Sequence, residues 1–301
     1  MNEKSTIAAF FDLDGTIVAP PSLEWRFALH LAIHRKLHAR AVLQWLRIYL
    51  KEGMKGLLAG ADAPAQWKAV DENKAYLAGV DDRLANDWTE ENVATLDLYP
   101  DALARLAWHR GQGHELFLVS GTLAFLARAV AAHLARSGEI GVAATELESF
   151  AGFWTGRVAG AAVCGPAKAR AVRELAARQD LDLTRSFAYG DSFDDRWMLG
   201  TVGNATVVNP SARLMWLAVR RGWRIAWWPR PECGSEMPRE QTRPAQEVNP
   251  VERTQGNESK EVSEKLLDSN APPNREHERL IITGFCFVIF GLSNLVERPT
   301  K

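Results

Sequence analysis

Hydrophobic positions fall into two alternating patterns along this chain. Short strand-like runs occur at Ile7–Phe11, Glu115–Val119, Gly141–Thr145, Ser186–Tyr189 and Thr206–Val208. Runs of this length with little polar alternation are how strands buried on both faces read. Between them, apolar residues recur at helical spacing. Ser22 is an N-cap candidate with Glu24 in the first turn, followed by Trp25, Leu29, Ile33 and Leu37 and then Leu43, Leu46 and Leu50. Further helices are predicted over Ala102–Arg110, closed by Gly111-Gln112-Gly113, over Leu123–Arg136, over Ala167–Arg178 after Gly165-Pro166, around Trp197-Met198-Leu199, and over Ala212–Arg221. Phe153–Val158 reads as extended, with Trp154-Thr155-Gly156-Arg157 as a hairpin turn. Strands alternating with helices through short turns predict an α/β fold, a doubly wound parallel sheet of Rossmann-like type. The long helical stretch between the first two strands reads as a cap inserted over the strand ends.

The pattern divides the chain. Residues 1–20 and 96–228 form the expected core, 21–95 the helical cap, and 229–279, rich in Pro, Glu, Asn, Gln and Arg, a disordered linker. Residues 280–297 are strongly apolar but short of the ~20 residues that span a bilayer comfortably, so membrane contact through them is balanced against docking on a partner. A net charge of -1 makes no overall case for nucleic-acid binding, and Cys164, Cys233 and Cys286 show no paired spacing for a disulfide framework or a zinc site. No secretion signal is read at the amino terminus, since Ile7–Phe11 runs directly into Asp12; a cytoplasmic location, membrane-associated only through 280–297, is expected. Within 22–52, Arg26, Arg35, Lys36, Arg40, Arg47 and Lys51 outnumber Glu24 and Glu52, an excess suited to an anionic partner. His30, His34 and His38 follow at i, i+4 spacing, without the carboxylates that would argue for a metal.

Chemistry concentrates where strands end. The first run leads into Asp12-Leu13-Asp14-Gly15-Thr16, two carboxylates two residues apart, whose mutual repulsion requires a cation or a proton to offset it. The second stops at Ser120-Gly121-Thr122, a small polar turn exposing backbone N–H groups to an anion at a helix start. Lys168 lies in the first turn of its helix, where the helix dipole opposes its charge and a carboxylate cluster or anion must compensate. The fourth breaks at Gly190-Asp191-Ser192-Phe193-Asp194-Asp195. A doubly wound sheet brings such strand ends to one crevice, so motifs weak alone reinforce one another.

In this order the four motifs resemble those of the haloacid dehalogenase superfamily of hydrolases, and the inserted helices, Thr155-Gly156-Arg157 and the Gly-Asp-Ser-x-x-Asp form of the last motif are most similar to the subfamily containing phosphoserine phosphatase. The resemblance spans about Ile7 to Trp228. It implies a magnesium-dependent phosphomonoesterase working through an aspartyl phosphate. Asp12 would be nucleophile, Asp14 general acid and then base, Lys168 the catalytic cation that also binds phosphate, and Thr16, Ser120, Gly121 and Thr122 further phosphate ligands. Asp12, Asp191 and the main-chain carbonyl of Asp14 would hold Mg²⁺, with Asp195 supporting the metal shell or Lys168.

Two positions depart from the phosphoserine phosphatases. Pro21 stands where their cap carries an amino-recognising glutamate, with Glu24 as the nearest substitute, and Thr122 replaces the second glycine of Ser-Gly-Gly. The implied substrate is therefore another small phosphorylated metabolite, such as an alcohol or lipid-headgroup phosphate. Phosphoserine itself, phosphoryl transfer to an alcohol, and a membrane-tethered binding module are the alternatives.

Overall fold

The computed structural model describes residues 5–59, 72–135 and 138–231. The linker of 229–279 lies almost wholly outside these residues, and the apolar segment 280–297 entirely so. Among the described residues no helix is long and apolar enough to cross a membrane.

The first strand, β1 (Ala8–Phe11), is buried along its whole length. It runs into a helical insertion holding α1 (Leu23–Ile33), α2 (Ala39–Ala59) and α3 (Arg83–Asn92), with single 3₁₀ turns at Ala75–Leu77 and Val93–Thr95. After α4 (Pro100–Gly111) come β2 (Glu115–Leu123), α5 (Ala124–Leu134) and β3 (Gly141–Thr145), then the strands β4 (Leu147–Phe150) and β5 (Phe153–Val158). The chain continues through α6 (Pro166–Gln179), β6 (Phe187–Gly190), α7 (Arg196–Leu199), β7 (Asn204–Val208), α8 (Ala212–Arg221) and β8 (Arg224–Ala226). Six strands form one sheet in the order β3-β2-β1-β6-β7-β8, all neighbours parallel.

That order explains the unbroken apolar reading of β1. The strand is central, and its side chains alternate between two cores: Ala9 and Phe11 on one face, Ala8 and Phe10 on the other. Phe11 stacks on Tyr189 with ring centroids 4.5 Å apart, and Phe10 on Phe117 at 5.3 Å. The chain leaves β1 for β2 on one side, and β6 lies on the other, so β1 is a switch point where a crevice opens at the carboxyl edge.

Several expectations need correction. The turn between β4 and β5 is Ala151-Gly152, both with positive φ (52° and 82°), as a two-residue hairpin turn requires. Trp154-Thr155-Gly156-Arg157 instead lies within β5, where positive-φ Gly156 faces Ala75 and Ala78 at distances a side chain would fill. The apolar series Leu29 and Ile33 is exposed; α1 buries Leu23, Phe27, Ala28 and Leu31. Since α1 is apolar on several faces, periodicity cannot select the buried one. His30 and His34 do adjoin, with ring centroids 4.3 Å apart, but α1 ends at Ile33 and His38 bonds the Gly79 carbonyl at 3.1 Å, so the stripe is not continuous. The short edge strand β8 has no counterpart in the sequence reading.

The insertion is fastened to the core. Gly79 N–H donates to the Trp154 carbonyl (2.8 Å) and Trp154 N–H to that of Val80 (3.0 Å), extending the β4–β5 hairpin onto the insertion. Phe27 meets Trp88, Phe125 and Trp154 edge-on at 5.1–5.9 Å, a buried aromatic seam between insertion, α5 and β5.

Behind the sheet, fully buried His109 joins Tyr189 Oη through Nε2 (2.9 Å) and His114 Nδ1 through Nδ1 (2.8 Å). Burial, with His114 and Arg105 adding to it, brings the His109 imidazole from 6.5 down to about 3. A histidine kept neutral only in the fold opposes folding once the unfolded chain protonates. Stability is therefore expected to fall as pH drops from 6.5 toward 3, by roughly 1 kcal/mol per pH unit from this group. Melting temperatures between pH 7 and 4 should show this slope, and His109→Gln should flatten it; an unchanged slope would remove His109 as the cause.

Candidate active site

Parallel pairing brings the ends of β1, β2 and β6 side by side. Phe11 is level with both Leu118 and Tyr189, and Asp12 N–H continues the ladder to the Tyr189 carbonyl at 2.9 Å. Asp12 therefore leaves the sheet between Ser120 and Asp191. The tight turn after it depends on Gly15, whose φ is +87° and where a Cβ would lie 2.2 Å from Asp191 Oδ2. The backbone at Gly15 packs directly on that carboxylate.

Lys168 enters from the first turn of α6, which starts with Pro166 after positive-φ Gly165. Its ammonium donates to Asp12 Oδ1 (2.6 Å) and Asp195 Oδ1 (2.5 Å), with all three residues at most 5% exposed. The opposition from the helix dipole is thus offset by two carboxylates. Burial alone would lower the Lys168 pKa, but Asp12 and Asp195 outweigh it and hold the ammonium well above its ordinary value. Asp195 is held in turn: its Oδ2 accepts from Ser192 N–H (2.9 Å) and Ser192 Oγ (2.8 Å) in a capping box.

Asp12 is raised to about 7, first by burial and then by the charge of Asp195, against the pull of Lys168. More negative charge is gathered here than one lysine neutralises. Carboxylate oxygens of Asp12, Asp191 and Asp195 lie within 4.8 Å of one another. Hard oxygen donors with excess negative charge suit an oxygen-preferring divalent cation, so the residues fit one. Both Asp195 oxygens are already engaged, which leaves Asp12 and Asp191 as the better side-chain donors.

Asp14 is arranged differently. Its Oδ1 accepts the Leu23 N–H at 2.8 Å at the start of α1, and its side chain lies outside the three-carboxylate cluster. Burial raises its pKa, and the Leu23 hydrogen bond works against that rise. On the neighbouring strand end, Ser120, Gly121 and Thr122 line the same cavity, with Thr122 N–H donating to Ser120 Oγ at 3.3 Å. Thr122 Oγ1, buried beside Asp14, completes no well-formed hydrogen bond. Ser120, Gly121 and Thr122 lie within β2 rather than in the turn expected after it, and a Cβ on Gly121 would sit 2.6 Å from Cys164 Sγ, so the end of the strand is closely packed from behind.

These groups share a cavity of about 410 Å³. Of the residues expected at the site, Asp12, Asp14, Ser120, Gly121, Thr122, Lys168 and Asp191 line it. Thr16 does not: it is fully buried and its hydroxyl donates to Asp191 Oδ1 at 3.4 Å. Sequence reasoning missed Trp45, Tyr49, Asn73, Lys74 and Tyr76 on the opposite wall. They come from α2 and an irregular stretch whose only signal was the clustering of aromatic and polar residues, and nothing local aims them at Asp12.

A doubly wound parallel sheet with its acidic strand ends gathered around a buried lysine is the arrangement of a Rossmann-like α/β enzyme. A profile of the haloacid dehalogenase-like hydrolases matches residues 9–200, and the chain belongs to that family. Phosphoserine phosphatase SerB1 of Mycobacterium tuberculosis is 36% identical over 235 residues, covering 73% of this chain and 70% of that protein. The inhibition of morphological differentiation protein of Streptomyces azureus is 33% identical over 236 residues, 74% and 79% respectively. The solved structure of a Bordetella pertussis protein of unknown function superposes with a TM-score of 0.58 at 25% identity, covering 74% of this chain and 98% of that one.

Gly190 gives a direct test of the packing that holds Asp195. A Cβ there would lie 2.5 Å from Asp195 Cβ. Gly190→Ala should cost roughly 1–3 kcal/mol of stability by overpacking and lower hydrolase activity by displacing the partner of Lys168. Calorimetry and turnover check it; a variant matching the wild type in both would show that Asp195 is not held by this contact.

Proposed function

We propose that this phosphatase is a magnesium-dependent phosphomonoesterase that hydrolyses a small phosphorylated metabolite through an aspartyl phosphate on Asp12. The observation that carries the reading is the different surroundings of two neighbouring carboxylates: Asp12 is bound to Lys168 beside Asp191, while Asp14 turns toward α1, accepts the Leu23 N–H and lies outside the three-carboxylate cluster. The carboxylate held by Lys168 beside the cation donors is placed to attack phosphorus, and the one facing the insertion is placed to exchange a proton with the departing alcohol. Residues 1–20 and 96–228 act as the catalytic core in this reading, and 21–95 as the cap.

Asp12 and Asp191, with the main-chain carbonyl of Asp14, would hold Mg²⁺. When bound, the ion supplies positive charge that offsets repulsion between the phosphate dianion and the attacking carboxylate. Lys168 contributes fixed charge to the same end and keeps Asp12 oriented. Ser120, Gly121 and Thr122 receive phosphoryl oxygens through hydroxyls and backbone N–H groups. An Asp12 carboxylate oxygen forms a bond to phosphorus as the ester P–O bond breaks, and Asp14 delivers its proton to the departing alcohol oxygen. Asp14, now ionised, takes a proton from water as that water attacks the acyl phosphate, releasing inorganic phosphate and restoring Asp12. The relative named phosphoserine phosphatase makes O-phosphoserine an obvious substrate to assay, and the cap decides whether it is accepted.

Asp12→Asn should abolish phosphate release from every monoester the wild type cleaves, with the fold intact by circular dichroism; retained turnover would exclude the covalent route. Chelation should silence the wild type and added Mg²⁺ restore it. Asp14→Asn should slow both acyl-phosphate formation and its hydrolysis by roughly 10²–10⁴-fold while calorimetric Mg²⁺ binding persists.

A further inference from the structure

Beyond Asp12 and Lys168 the cavity continues into the insertion, where Trp25, Trp45, Tyr49 and Tyr76 line it. Its volume of about 410 Å³ is that of a small-molecule site. Trp45 stacks on Tyr49 with centroids 5.3 Å apart and 29° between planes, and meets Tyr76 edge-on at 6.0 Å, so α2 and the 3₁₀ turn present a joined aromatic wall.

The charged and amide groups of this wall are spent on one another. Lys74 Nζ donates to both oxygens of Glu24 (2.7 and 2.8 Å), and Tyr76 Oη donates to Glu24 Oε1 at 2.7 Å. The Lys74 and Glu24 side chains are only 11% and 22% exposed. Asn73 Nδ2 donates to the Trp45 carbonyl (2.9 Å) and its Oδ1 accepts from Ala75 N–H (3.4 Å). An ammonium-bearing substrate that used Glu24 as its counter-charge would have to displace Lys74 from it, leaving a largely buried cation without its partner, which is strongly unfavourable. A ring needs no such exchange, because stacking uses the aromatic faces and leaves the polar network in place.

Building on the phosphomonoesterase reading, we infer that the preferred substrate is the phosphate ester of an uncharged alcohol bearing an aromatic or heteroaromatic ring. The ring rests on Trp45 and Tyr49, and the Lys74–Glu24 pair acts as a built-in counter-ion that turns away ammonium-bearing esters. Glu24 is thereby a specificity residue already occupied by the protein's own amine.

The test uses the full chain with Mg²⁺ and four alkyl esters, whose leaving alcohols differ less in acidity than aryl and alkyl groups do: benzyl phosphate, ethyl phosphate, phosphoethanolamine and O-phosphoserine. The kcat/KM for benzyl phosphate should exceed each of the others by at least about tenfold, the worth of one stacked ring. Trp45→Leu and Tyr49→Leu should each shrink the benzyl-to-ethyl ratio several-fold; because both substrates are read on one preparation, partial unfolding cancels. Lys74→Met should raise the phosphoethanolamine-to-benzyl ratio. An ammonium-bearing ester equal to or better than benzyl phosphate, or a benzyl-to-ethyl ratio unmoved in both leucine variants, overturns the inference while leaving the phosphatase reading standing. Failure to cleave any monoester removes the phosphatase reading, and this inference with it.

Discussion

A single ammonium, Lys168 Nζ, joins the strand end that carries Asp12 to the turn that carries Asp195. Three ionisable groups this deeply buried are tolerable only as a set, since removing one leaves uncompensated charge in a low-dielectric interior. The site is organised around that constraint. Ser192 fixes Asp195, positive-φ Gly165 and Pro166 start α6 so that Lys168 falls in its first turn, and Gly15 lets the chain turn tightly against Asp191.

The remaining negative charge is the functional half of the same balance. Asp12 and Asp191, with Asp195 beside them, hold more carboxylate than Lys168 neutralises, a charge balance that suits a divalent cation. Asp14 escapes this cluster because the Leu23 N–H at the start of α1 draws it away. The insertion thus does more than cover the crevice: its first helix separates two adjacent aspartates into different environments. The aromatic seam of Phe27, Trp88, Phe125 and Trp154 holds that helix against α5 and β5.

Much of this was legible in residue order. The apolar runs and polar stops located the five strands of the sheet that carry or flank the motifs, and alternation with helices implied parallel pairing, hence one carboxyl edge where Asp12, Ser120 and Asp191 meet. The misplaced Lys168 charge implied an anion or a carboxylate cluster beside it, and Asp12 and Asp195 form such a cluster. Such inferences succeed because burial on both faces and electrostatic compensation leave marks within a few residues. The turn at Ala151-Gly152, the edge strand β8 and the buried face of α1 left no such mark. Ala is an unusual residue at positive φ, β8 is only three residues long, and α1 is apolar on competing faces.

The amino-acid sequence by itself determined five of the six strands of the sheet and the four motifs, because each is encoded in local order and spacing. Only the tertiary structure decided that Thr16 donates to Asp191, that Asp14 belongs to the insertion's side of the site, and that Glu24 is already paired with Lys74, 50 positions away. Those outcomes depend on which faces meet when the insertion packs on the core, and long-range packing of that kind has no periodicity to read. The half of the cavity lined by strand ends follows from local order, whereas the half lined by the insertion is assembled across loops and helices.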